Sequence, residues 1–199
     1  MQVFHRVTIR VADLDASERF YDTVLSTLGI DRAASEFSVE PRDGDHPVTR
    51  DLHVGFRAPS RTEVDEFWRA GTAAGHPNDG PPGPRPQYTP DYYGSFLLDP
   101  DGNSAEAVYH SEMRGEGAID HLWIRVADVD ASKRFYTEIA EHAGFRLAHE
   151  VPARARFAGE GGSFTLLAGR PTENLHLAFR GSVSGARLDP DGNRVEIVS

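Results

Sequence analysis

The sequence contains itself twice, and this constrains the fold more than any other feature. Residues Ile9 to Tyr21 (IRVADLDASERFY) and Ile124 to Tyr136 (IRVADVDASKRFY) are identical at 11 of 13 positions, at an offset of 115. LHVGFR at Leu52 to Arg57 returns as LHLAFR at Leu175 to Arg180, 123 positions later, and LDPDGNSAEAV from Leu98 returns as LDPDGNRVEIV from Leu188, 90 positions later. Two homologous modules are expected, residues 1–110 and 119–199, joined by the small, polar linker SEMRGEGA at 111–118.

Each module opens on an alternating stretch, Val3 to Val11 or Ile119 to Val126, that reads as a half-buried strand. A helix follows in both, with Phe20, Tyr21, Val24, Leu25 and Leu28 at helical spacing before Gly29, and Phe135, Tyr136, Ile139, Ala140 and Ala143 before Gly144. The change in offset from 115 to 123 makes the first module 8 residues shorter after its helix. The change from 123 to 90 makes the second 33 residues shorter between LHLAFR and LDPDGN. That deficit removes a helix which in the first module starts at Ser60, with Glu63 as its capping-box partner, and buries Val64, Phe67, Trp68, Gly71 and Ala74. The second module has no counterpart, so apolar surface should be left bare there.

The repeat is faithful, yet its first histidines do not match: at offset 115, His121 falls on Arg6, and His5 falls on Asp120. Alternation sorts these side chains by face. In the second module His121, Trp123 and Arg125 stand opposite the apolar Leu122, Ile124 and Val126, and the same count places His176 and Glu196 on polar faces of their strands. In the first module Arg6, Thr8 and Arg10 stand opposite Val7, Ile9 and Val11, with His5 turned to the core side unless a bulge re-aims it. The second module thus offers His121, His176 and Glu196 as metal ligands, and the first a degenerate equivalent, Arg6, His53 and Glu106, in which the arginine charge opposes a cation. Two histidines and one carboxylate with vacant positions suit a divalent transition metal: Fe(II) above all, then Mn, Ni, Co or Zn.

The order of strand, RVxDxxxSxxFY helix, LHxxFR and DPDGNxxE resembles the vicinal oxygen chelate superfamily, which includes glyoxalase I, bleomycin-resistance proteins and extradiol dioxygenases. The resemblance covers nearly the whole chain. It implies an α+β fold of tandem βαβββ units forming two curled mixed-sheet modules, the second without its last helix. It also implies a metal bound by His121, His176 and Glu196, with Arg6, His53 and Glu106 as the spent copy. The implied activity is that of a metal-dependent lyase, isomerase or dioxygenase acting on a small substrate through adjacent oxygens, and the rival is a sequestering protein of the bleomycin-resistance type. Extradiol cleavage would want a further His and Tyr near the metal. Tyr136 is the second module's only tyrosine and lies on its helix, which weighs against that branch, and His149 is a weak acid–base candidate.

Other features narrow the reading. With 21 basic and 31 acidic residues, a net charge of −10 offers nothing to a phosphate backbone or an anionic membrane, so a small molecule is the expected partner, bound by a monomer or homodimer. The absence of cysteine excludes disulfides, thiolate metal sites and cysteine nucleophiles. No leader or long apolar run stands out, and a cytoplasmic location is expected by default. Asp99, Asp101 and Asn103 mimic the start of a calcium loop, but the glycine comes early and position twelve is His110, so the motif reads as a tight turn. The Pro- and Gly-rich stretch from Pro77 to Gly94 carries Tyr88, Tyr92 and Tyr93, which are expected at a pocket rim.

Overall fold

A computed structural model describes residues 2–112 and 116–199; the centre of the expected linker, 113–115, lies outside the described residues. The fold is α+β, with three α-helices and two mixed sheets. The first module contributes β1 (Phe4–Val11), α1 (Leu14–Ser26), β2 (Phe37–Pro41), β3 (Leu52–Arg57), α2 (Arg61–Ala73), β4 (Asn78–Pro84), β5 (Tyr93–Leu98) and β6 (Ser104–Tyr109). The second contributes β7 (Ile119–Val126), α3 (Val129–Ala140), β8 (Phe145–Val151), β9 (Arg154–Gly159), β10 (Gly162–Ala168), β11 (His176–Arg180), β12 (Gly185–Leu188) and β13 (Arg194–Val198).

The helices form where the repeat predicts. Asp13 and Asp128 cap α1 and α3 by accepting from the amides of Ala16 and Ala131. Ser60 caps α2 and also bonds the Glu63 carboxylate. Phe20, Tyr21, Val24 and Leu25 of α1 and Val64 and Phe67 of α2 are fully buried. Among the described residues no helix stands between β11 and β12, and Val183 and Leu188 are exposed there, the bare apolar surface that the missing helix leaves.

The DPDGN segments are tight turns that tie helix to sheet. Asp99 Oδ1 accepts from the amides of Asp101 and Asn103 while its Oδ2 accepts from the buried Tyr21 hydroxyl at 2.9 Å. Asn103 then receives the Leu52 amide, fixing the start of β3. Asp189, Tyr136, Asn193 and Leu175 repeat this in the second module. Gly102 and Gly192 take φ of 88° and 89°, which glycine adopts without strain. Asp99 and Asp189 are thus engaged by the backbone and a tyrosine, as befits a tight turn.

The sheets do not follow the modules. The eight-stranded sheet runs β4-β5-β6-β3-β7-β10-β9-β8, so the second half of the first module is continuous with the first half of the second. The five-stranded sheet, β12-β13-β11-β1-β2, joins the two remaining pieces. Both junctions are antiparallel: β3 with β7, and β1 with β11.

Candidate metal centre

The β3–β7 junction decides which side chains meet. Antiparallel pairing puts Gly55 opposite His121 and His53 opposite Trp123, and parallel pairing of β3 with β6 puts Glu106 beside Gly55. Side chains of one face therefore converge from three strands. His53 Nε2 lies 3.0 Å from Glu106 Oε2 and 3.2 Å from His121 Nε2, and His121 Nε2 lies 3.3 Å from the same carboxylate oxygen. Among the described residues this is the one group of three His, Asp or Glu side chains with ligand atoms close enough to share a metal ion.

Two glycines make the room. A Cβ on Gly55 would stand 2.4 Å from His121 Cε1, and one on Gly94 would stand 2.5 Å from Glu106 Oε1. Each ligand is also held from behind. His121 Nδ1 donates to Asp120 Oδ2 at 2.9 Å, and Asp120 in turn is 3.3 Å from His110 Nε2. His53 Nδ1 is 3.2 Å from Ser104 Oγ, which donates to Asp79. The Tyr92 hydroxyl donates to Glu106 Oε1 at 2.7 Å. Partners of this kind fix ring orientation and leave the facing Nε2 and Oε2 atoms for a ligand.

Burial and these contacts shift the titrations. Burial alone would raise Glu106, but hydrogen bonds from His121 and His53 outweigh it and hold the carboxyl down at about 2. Burial would lower His121, yet Asp120 and Glu106 hold it up at about 9. Burial lowers His53. The same force, with Glu106 alongside, raises the Tyr92 hydroxyl, while His110 and His121 overcome burial to hold Asp120 well below the usual carboxylate range. In the absence of a metal, a protonated His121 donates from Nδ1 to Asp120 and from Nε2 to the Glu106 carboxylate.

The donor set fits a divalent metal. Nitrogen and oxygen ligands about 2.1 Å from an ion stand about 3.0 Å apart at octahedral angles and about 3.4 Å apart at tetrahedral ones. The observed edges of 3.0–3.3 Å fall in that interval. The site opens on a cavity of about 310 Å³ lined by Tyr88, Tyr92, His110, His121, Trp123, His149, Arg156 and Thr165, among others.

Known structures share this architecture. Glyoxalase I from Zea mays superposes with a TM-score of 0.69 at 16% identity, covering 100% of this chain and 92% of that one. A proposed dioxygenase from Bacillus subtilis superposes with a TM-score of 0.63 at 14% identity, covering 98% and 85%. The fold is that of the vicinal oxygen chelate superfamily. A glyoxalase/bleomycin resistance protein from Albidiferax ferrireducens T118 is 30% identical over 54% of this chain and 98% of that one, with a TM-score of 0.46. The sequence matches no family model and no curated protein.

Within this vicinal oxygen chelate fold, the ligands expected from the sequence are regrouped. His121, His176 and Glu196 do not come together: His121 stands in the eight-stranded sheet with His53 and Glu106, while His176 and Glu196 stand 3.3 Å apart in the five-stranded one. The reason is the exchange of strands between modules, which gives Arg6 to His176 and Glu196 and gives His121 to the pair assigned to the degenerate copy. The face of each residue was readable from alternation; its partner strand was not. His5 and Asp120 occupy matching irregularities, at Phe4/Arg6 in β1 and opposite Gly55/Phe56 in β7, so each is the extra residue of a bulge. His149 lies exposed on β8 at the cavity wall. Tyr88 and Tyr92 line the cavity as expected, whereas Tyr93 bonds Asp65 of α2.

Asp120, His110, Ser104 and Gly55 were not singled out as site residues from the sequence, and Tyr92 was placed only at a pocket rim. Their one local signal was the substitution pattern between repeats, Asp-His against His-Arg and Gly55 against Ala178.

Proposed function

We propose that this chain is an Fe(II)-dependent dioxygenase acting on a small catechol-like substrate held through two adjacent oxygens. The observation that carries the reading is the convergence of two histidines and one carboxylate at 3.0–3.3 Å with nothing of ligand character in the fourth place. In the local symmetry of the eight-stranded sheet, the counterpart of Glu106 is Thr165: Glu106 registers with Gly55 as Thr165 does with Trp123. Two histidines and one carboxylate with open positions favour non-haem Fe(II) and oxygen chemistry.

His53, His121 and Glu106 would hold the ion, which would supply Lewis acidity toward both substrate oxygens and a site for O2. The chain supplies the rest. Trp123, stacked on His53 with centroids 4.7 Å apart, and Tyr88, 5.7 Å from Trp123, form an aromatic wall suited to a flat substrate. His110, whose Nε2 is 3.3 Å from Asp120, lines the cavity, where it can take or return a substrate hydroxyl proton. Pairing across modules thus brings a tyrosine and a histidine close to the metal ligands, which Tyr136 alone could not provide.

The test is anaerobic reconstitution with Fe(II) followed by oxygen uptake with catechols. Uptake that depends on both iron and catechol, and is lost with chelator or in His121→Ala, supports the reading. Stoichiometric metal with no uptake, but turnover of a hemithioacetal, would move the chain to isomerase chemistry. No stoichiometric metal with Fe(II), Mn(II), Ni(II) or Zn(II) would leave a binding pocket of the sequestering kind.

A further inference from the structure

The cavity has a second chemical end. β9 and β10 pair antiparallel with Arg156 opposite Thr165 and Arg154 opposite Leu167, and β10 pairs with β7 so that Thr165 faces Trp123. Arg154, Arg156, Ser163, Thr165 and Leu167 all line the cavity. At a strand spacing of about 4.8 Å, Arg156 stands about 10 Å across the sheet from Trp123, which shares its face of β7 with His121. A ring or short chain spans that gap.

The two halves of the eight-stranded sheet differ at this point. Phe96 is the residue opposite Glu106 on β5, and Arg156 is the residue opposite Thr165 on β9, so local symmetry equates an apolar wall with a cationic one. In a chain of net charge −10, both guanidiniums are without a carboxylate partner among the described residues; Arg156 has one hydrogen bond, 3.3 Å from Nη2 to Ser163 Oγ. The cavity's own carboxylates are Asp120, held by His110 and His121, and Glu112, exposed at the rim. His149, in register with Arg156 across β8, faces the same space.

We propose that Arg156, with Arg154 beside it and the hydroxyls of Ser163 and Thr165, forms an anion subsite, so that the substrate is a carboxylate-bearing molecule whose adjacent oxygens reach the His53–His121–Glu106 end. This deepens the metal-centre reading and rests on it for the position of the chelating oxygens. A planar guanidinium receives a carboxylate in bidentate fashion, and a charge-assisted pair is worth about tenfold or more in affinity at an accessible site.

The test compares catechol with 3,4-dihydroxybenzoate, which share chelating oxygens and differ by the carboxylate, by calorimetry on Zn(II)-loaded protein, in which neither probe is oxidised. The wild-type chain should bind the carboxylated probe about tenfold tighter. Arg156→Gln should bring that ratio to about one, and Arg156→Lys, which keeps the charge, should retain part of it. Because the readout is a ratio, a loss of metal or fold that weakens both probes together does not imitate the effect. Equal affinities in the wild type, or an undiminished ratio in Arg156→Gln, overturn the proposal. If the chain takes up no metal, saturation-transfer NMR with benzoate on metal-free protein decides separately. A signal that weakens in Arg156→Gln sustains the anion subsite without the metal reading, and an unchanged or absent signal overturns it.

Discussion

The two inter-module junctions of this molecule are built alike and differ in what they present. At β3–β7, Gly55 faces His121, with Glu106 in the adjoining strand and His53 two residues away. At β1–β11, Ala178 faces Arg6, with Glu196 adjoining and His176 two residues away. Each pair has a bulge at the matching place. The first junction buries its ligands, with Glu106 1% exposed, and backs each with a hydrogen-bonding partner. At the second, His176 and Glu196 are each 25% exposed and Arg194 occupies the carboxylate. A common backbone thus carries matching positions at both junctions, but among the described residues only the β3–β7 side chains converge as a group that could hold a metal ion.

The largest effect expected is on metal content. His121→Ala should reduce bound Fe(II) or Zn(II) from stoichiometric to undetectable by plasma mass spectrometry, while His176→Ala, at the matching place in the other sheet, should leave it unchanged; equal losses would dissolve the distinction between junctions. Gly55→Ala comes next. Its methyl group would overlap the His121 ring, so the ring must leave its place, with a metal affinity lower by about 100-fold and a lower melting temperature. Ala178→Gly should do neither.

Asp120→Asn should cost about 10–100-fold in metal affinity, measured by competition with a chromophoric chelator, because the carboxylate that orients His121 and raises its basicity is gone. His5, the matching bulge residue, should be replaceable by alanine with no change in that affinity. The smallest effect is the pH dependence. A His121 value raised to about 9 means that the metal displaces one proton at neutral pH, so apparent affinity should climb as pH rises toward 9. The sign for stability is the reverse. In metal-free protein the raised value contributes stability that is full below about 6.5 and disappears as pH passes 9, so its melting temperature should fall over that window, and should not do so in His121→Ala.

Much of the fold was legible in the chain because the signals are local. The repeat of Ile9–Tyr21 in Ile124–Tyr136 gives two strand–helix pairs, capped by Asp13 and Asp128; Gly29 follows the first at a φ of 70°, which glycine adopts without strain, whereas Gly144 after the second takes no positive φ. Alternation placed His53, Glu106, His121, His176 and Glu196 on the faces they occupy. No helix is long and apolar enough to cross a membrane among the described residues.

What tertiary structure alone decided is which strand lies beside which. Two modules with nearly the same first strand can pair β1 and β7 within their own halves or across them, and the side-chain pattern is the same in both cases. The choice is made by burial summed over whole sheets, not by any one segment. It brings His53 to His121 across 68 positions of sequence and carries Arg6 to the other sheet. The supporting residues Asp120, Tyr92 and Ser104 acquire their roles from the same event, since a hydrogen bond to a ligand exists only once the ligand has its neighbours.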